Sequence, residues 1–285
     1  MRLLRFFPDL LWTVSAREEC AGWLEEFAAF HSLPPGREAA GGSICVAGRP
    51  HEFPMPVGPG WEETVCPWGH FAWNTGSSDL QVILPEQENG SLVRRIPTFR
   101  ATLLALTFLL PEESLVLHGA TLVLHGQAIL ILASSGGGKS TSAARVPPPW
   151  SSPGDDWGLL VPDGAEGYRV HVLPTWSKAI QPGGGGLSWD TQCPYPLRAV
   201  CVLKKDTADG LEKMDISRAA VCLNDAARQV IWPIMPIRDP AFKRRCLGRS
   251  FDAASRIARK IPVFLLRARL DGRFWELLEG IPDGK

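Results

Sequence analysis

The stretch from Gln127 to Pro149 constrains this chain more than any other. Four aliphatic residues, Ile129 to Leu132, lead through Ala133 into Ser134-Ser135-Gly136-Gly137-Gly138-Lys139-Ser140-Thr141, and Pro147, Pro148 and Pro149 close the segment. A short aliphatic run bounded by turn residues reads as a buried strand. Three glycines allow backbone turns closed to other residues, and only a short helix fits between them and the prolines. Strand, glycine turn and helix in this order predict an α/β fold. The same residue types suit a loop that gathers backbone N–H groups, an ammonium and a hydroxyl around phosphate oxygens. We therefore expect residues 134–141, that is Ser134, Ser135, Gly136, Gly137, Gly138, Lys139, Ser140 and Thr141, to bind the phosphates of a nucleotide, with the Ser140 hydroxyl on Mg²⁺. The loop consensus has glycine where Ala133 stands.

Around this segment the expected order of elements is mixed. Ser15 and Glu18 have capping-box spacing, and Cys20, Trp23, Leu24, Phe27 and Ala28 recur at helical intervals, which predicts a helix over 16–31. Short strands are expected at 44–46, 71–74 and 80–84, so residues 1–95 read as a small α+β lobe and 96–285 as the main domain. Pro97 suits the first turn of a buried apolar helix reaching Leu110. Strands are expected at 115–117, 121–124 and 129–132, with turns at His118-Gly119 and His125-Gly126. Further strands are expected at 158–161, 168–173, 198–203 and 263–268. Helices are expected at 217–231, at 240–259 with a break at Gly248, and around 274–278. The glycine run ending at Gly186 reads as a loop over a site or a linker.

Composition narrows the partners. Thirty basic and thirty acidic residues cancel in a chain of 285, so no broad charged field draws it to nucleic acid. No apolar run is long enough to span a bilayer, and the apolar start, broken by Arg2, Arg5, Pro8 and Asp9, lacks a cleavage site, so the expected location is the cytoplasm. Seven cysteines without a CxxC pair read as reduced thiols, and six histidines without an HxxxH pattern disfavour a dedicated zinc site. Asn89-Gly90-Ser91 reads as a turn.

Two adjacent carboxylates, Asp155 and Asp156, precede the strand expected at 158. Beside a phosphate loop such a pair can divide metal binding and proton abstraction, although Pro-Gly-Asp-Asp is also ordinary turn chemistry. His118 ends an expected strand upstream and reads on pattern alone as a strand-end residue. Trp157 and Trp176 suit an adenine or peptide groove as well as a core. Lys178 and the cluster Lys243, Arg244, Arg245 and Arg249 fit either solvent or an anion.

Taken together, His118-Gly119, Gly126, the loop to Ser140 and Asp155-Asp156 resemble the catalytic domain of HPr kinase/phosphorylase, which shares its phosphate-loop fold with phosphoenolpyruvate carboxykinase. The resemblance covers about residues 113–180. It implies a P-loop kinase fold, ATP and Mg²⁺ on Lys139 and Ser140, Asp156 near the metal, Asp155 or Asp156 as general base, and His118 near the transferred phosphoryl group. The family's later acidic metal residue has no counterpart, and 172–178, Val-Leu-Pro-Thr-Trp-Ser-Lys, stands where that signature should begin. This segment resembles diverged relatives beside peptide-modification enzymes, including the C protein of the SynChlorMet cassette. The expected activity is ATP-dependent phosphorylation of a hydroxyl, either a serine of a peptide or small protein such as a ribosomally made precursor peptide, or a small hydroxylated metabolite. The alternative is an ATP-binding scaffold module of such an assembly. Homo-oligomerisation stays open.

Overall fold

The structure, a computed structural model, describes residues 1–6, 10–36, 41–48, 54–56, 58–85, 92–164, 167–181, 187–235 and 239–282. The sequon at Asn89 and the glycine run at 183–186 lie outside them. The chain is mixed α/β with two sheets and several helices. It forms two compact units, one of Met1–Pro111, Trp176–Gln192 and Ile231–Lys243, the other of Glu112–Thr175, Cys193–Val230 and Arg244–Lys285. Among the described residues no helix is long and apolar enough to cross a membrane.

The first unit is built on a six-stranded sheet, β1 (Arg2–Phe6), β2 (Leu10–Ala16), β3 (Gly42–Ala47), β4 (Trp61–Cys66), β5 (Gly69–Asn74) and β6 (Asp79–Ile83), in the order β1-β2-β3-β6-β5-β4. The step from β2 to its parallel neighbour β3 needs a crossover, which α1 (Ala21–Phe30) supplies. Its buried face stacks Trp23 on Phe27 and sets both against Phe99 of α2 (Leu92–Leu106). The Trp23 indole N–H donates to Thr98 Oγ1 at 2.7 Å, which satisfies that buried donor.

Several expectations fail here for identifiable reasons. The capping-box reading at Ser15 is wrong because Ser15 lies within β2, where its hydroxyl donates to the Ile44 carbonyl; the helix begins later, after a 3₁₀ turn at Glu18–Cys20. Pro97 lies inside α2 rather than in its first turn, which removes the N–H that would reach the Val93 carbonyl. Strands β1, β2 and β4 have no counterpart among the expected elements.

The second unit carries β7 (Leu115–Leu124), β8 (Gln127–Leu132), β9 (Ser151–Gly154), β10 (Trp157–Asp163), β11 (Gly167–Val172), β12 (Tyr195–Lys205), β13 (Gly210–Lys213) and β14 (Val263–Ala268). Their order is β11-β10-β7-β8-β12-β14-β13, with β9 on β7 and a second pairing between β11 and β12. Strands β8, β12 and β14 run parallel, while β7 and β10 join antiparallel. Alternation along β8 sets its two faces. Leu130 and Leu132 pack with Leu223 and Ala227 of α5 (Ile216–Ile234) and Ala254 and Ile257 of α6 (Pro240–Lys260). Ile129 and Ile131 share the opposite core with Ala143 of α3 (Lys139–Arg145) and Phe274 and Leu278 of α7 (Phe274–Glu279). The short helix α4 (Trp176–Ala179) belongs to the first unit.

The turn expected at His118-Gly119 does not exist. Strand β7 runs through both residues, His118 opposite Trp157 and Gly119 opposite Leu132. Glycine is required there by crowding: a Cβ would lie 2.9 Å from a Leu132 methyl and 3.0 Å from a Leu130 methyl. Gly248 does not break α6, which is continuous, and the short strands β9 and β13 have no counterpart among the expected elements.

Leu130 is fully buried between β8 and the two long helices. Leu130→Ala should lower the unfolding free energy by about 2–5 kcal/mol in urea titration. Phe251→Ala on exposed α6 surface should change it by less than about 1 kcal/mol.

Candidate functional site

The turn after β8 folds around a lysine. Gly136 (φ 72°) and Gly138 (φ 102°) hold left-handed backbone that side chains resist, and the Gly137 N–H donates to the Ser134 carbonyl at 2.9 Å. Lys139 opens α3 and is only 6% exposed. Its Nζ donates to the carbonyls of Ala133 at 2.9 Å and Ser134 at 3.5 Å. Ala133 fits where the consensus has glycine because its methyl uses the room that Gly137 leaves: a Cβ at Gly137 would come within 2.7 Å of it. Ser134, Ser135, Ser140 and Thr141 are exposed around this core.

On one side of the loop, the β7–β10 ladder delivers the acidic pair. The Gly119 N–H donates to the Asp156 carbonyl at 2.9 Å, which ties the residues before β10 to the middle of β7. His118 Nε2 then lies 3.4 Å from Asp156 Oδ1, and its Nδ1 lies 3.0 Å from Gln229 Oε1 on α5. The two aspartates differ. Asp155 is buried at 6% exposure; Thr175 Oγ1 donates to its Oδ1 at 2.8 Å and accepts from its N–H at 3.2 Å. Asp156 is more open, its side chain 19% exposed. Burial holds the Lys139 ammonium below its ordinary pKa, while Asp156 and then Asp155 push it back up. The structure thus brings Lys139, Asp155, Asp156 and His118 into one neighbourhood.

On the other side lies β12, whose last residue, Lys205, donates from Nζ to the Gly136 carbonyl at 3.0 Å. Between the loop and the ends of β12 and β14 is a cleft of about 270 Å³, apolar at Leu203, Ala268 and Leu270 and cationic at Lys205. Trp157 and Trp176 do not line it: both are buried, the latter in the first unit against Phe30. Lys178 lies in that unit too. Lys243, Arg244 and Arg245 are exposed on α6, with Lys243 Nζ 5.3 Å from the Trp232 ring centroid. Among the described residues, no three His, Cys, Asp or Glu side chains cluster as a ready metal site.

A family model matches residues 107–282, more than half of the chain, and its description is SynChlorMet cassette protein ScmC. The chain belongs to the ScmC family. None of the curated proteins matches it. The ScmC region takes in the whole of the site, from His118 on β7 to Lys205 on β12 and Ala268 on β14.

Sequence reasoning missed Lys205, Gln229 and Thr175. Lys204-Lys205 follows the strand expected at 198–203, but nothing local shows that this strand pairs with β8. Thr175 sits in the Leu-Pro-Thr-Trp segment, and its bond to Asp155 appears only in three dimensions. Thr175→Val would strip a buried carboxylate of a donor and a backbone N–H of its acceptor. Urea titration should show a loss of about 1–3 kcal/mol, with Thr175→Ser recovering most of it.

Proposed function

We propose that this ScmC family member is an ATP-dependent kinase with a P-loop of the HPr kinase and phosphoenolpyruvate carboxykinase type, acting on a serine hydroxyl of a peptide in a peptide-modification pathway. The observation that carries this reading is the buried Lys139 ammonium inside a left-handed glycine loop, with the Asp156–His118 pair beside it. Strand order supports it. Because β8 stands between β7 and β12, the loop at its end has carboxylates on one side and an apolar, lysine-edged cleft on the other. The first suits an acceptor hydroxyl and the second a nucleoside.

The chain's groups fit ATP and Mg²⁺. Lys139 and Lys205 bond loop carbonyls and would turn to phosphate oxygens; the exposed Ser140 hydroxyl, with Asp156 nearby, would hold Mg²⁺. Magnesium usually takes one or two carboxylates plus phosphate oxygens rather than an all-protein cage. Bound there, it would supply charge neutralisation on the phosphates. Asp156, the more open carboxylate, accepts the proton of the attacking hydroxyl as its oxygen bonds to the γ-phosphorus and the bond to the β-phosphate oxygen breaks, releasing ADP. His118 holds Asp156 and is itself held by Gln229. Asp155, fixed by Thr175, anchors the entry to β10.

The test is transfer of labelled γ-phosphoryl from ATP with Mg²⁺ into candidate precursor peptides and a bacterial lysate. Wild-type protein should label a discrete acceptor, Lys139→Ala should abolish labelling, and Asp156→Asn should slow it by about 10²-fold or more. Lys205→Met should raise the KM for ATP about tenfold with little change in kcat. Tight ATP binding with no labelled acceptor would replace the kinase by a nucleotide-binding scaffold module.

A further inference from the structure

At the opposite end of β8 from the glycine loop, about 17 Å away along the strand, the second unit opens into a groove of about 980 Å³. The first residues of β8, β11, β12 and β14 and the last turn of α6 frame it. Its floor is apolar, with Tyr168, Leu197, Met214 and Ile261 buried. Its rim is cationic. Arg198, Lys213, Arg259 and Lys260 line it against one carboxylate, Asp163, which Arg169 already engages at 2.8 Å.

These cations come from three elements that the fold brings together: β12, the end of β13 and the end of α6. Arg259 and Lys260 complement the negative end of α6, but that leaves Lys213 and Arg198 unexplained. Arg198 is braced across the mouth by donating to the carbonyls of Glu279 at 3.1 Å and Pro282 at 3.4 Å. Lys260 Nζ sits 5.9 Å from the Tyr168 ring centroid, so one cation overhangs the apolar floor. Lys213 and Arg259 are exposed and form no ion pair among the described residues. In a protein of zero formal net charge, this local excess of positive charge over an apolar floor complements an amphipathic anion. The volume is at the upper end of the range for single small ligands, enough for several side chains in a row.

We propose that the groove docks an acidic peptide segment, apolar side chains on the Tyr168–Met214 floor and carboxylates against Lys213, Arg259 and Lys260. The site needs neither nucleotide nor phosphoryl transfer, so it stands or falls apart from the kinase reading.

The experiment pans the full chain, without ATP, against a displayed library of random twelve-residue peptides, then measures the selected peptides by fluorescence anisotropy. Selected sequences should be rich in Asp, Glu and apolar residues, and should bind more weakly as NaCl is raised. The triple variant Lys213→Glu, Arg259→Glu, Lys260→Glu should weaken them about thirtyfold, and Lys213→Glu alone about threefold. The single variant guards against loss of folding in the triple. Lys139→Ala should leave binding unchanged. Selected peptides without acidic enrichment, equal binding by the charge-reversed variants, or binding lost with Lys139→Ala would each overturn the proposal, the last by placing the peptides at the glycine loop.

Discussion

Strand β8 is hydrogen-bonded along both edges, antiparallel to β7 and parallel to β12, and the groups of the site take their places from that double pairing. The antiparallel edge sets Gly119 opposite Leu132 and so puts His118 beside the end of β8. From β7 the ladder passes to β10 and carries Asp155 and Asp156 with it. The parallel edge aligns Val202 with Leu132 and brings Lys205 over the glycine turn. A one-residue slip in either pairing would turn Leu130 and Leu132 away from α5 and α6, so burial of those side chains protects the register of the site.

The loop solves a local problem of charge. A lysine residue with 6% exposure is costly unless its ammonium is hydrogen-bonded, and the Ala133 and Ser134 carbonyls meet that need from within the turn. Carbonyls and phosphate oxygens are both oxygen acceptors, so under the proposed function exchanging one for the other would keep the lysine bonded while adding charge attraction. Glycines at 136 and 138 permit the backbone to turn, and glycine at 137 permits the methyl of Ala133. The departure from consensus at 133 is thus compensated in space rather than at the same position.

What could be read from the sequence was chemistry that is local along the chain. The glycine–lysine loop, the short helix ended by prolines and the strand over 263–268 follow from residue types within a few positions of one another. Pairing across the sheet is not encoded that way. His118-Gly119 looks like a turn because glycine usually marks one, yet here it marks close approach of Leu130 and Leu132 from the neighbouring strand. Ser15 and Glu18 have the spacing of a cap, but Ser15 is held in a strand by its pairing with Cys45. Lys205 and Thr175 could not be singled out, because their partners Gly136 and Asp155 are distant in sequence.

The adjacent aspartates show how one strand entry yields two unlike groups. Asp155 and Asp156 form the bend between β9 and β10, and they point to different surroundings although they are neighbours. Asp155 turns toward Thr175 and is buried; Asp156 turns toward His118 and stays reachable. A buried carboxylate with its hydrogen bonds satisfied is fixed in place, which suits holding a strand end against its neighbour. A carboxylate paired at 3.4 Å with an imidazole keeps acceptor capacity for another donor. The Gly119–Asp156 backbone bond, next to the register that aligns Trp157 with His118, keeps the two carboxylates in these separate surroundings.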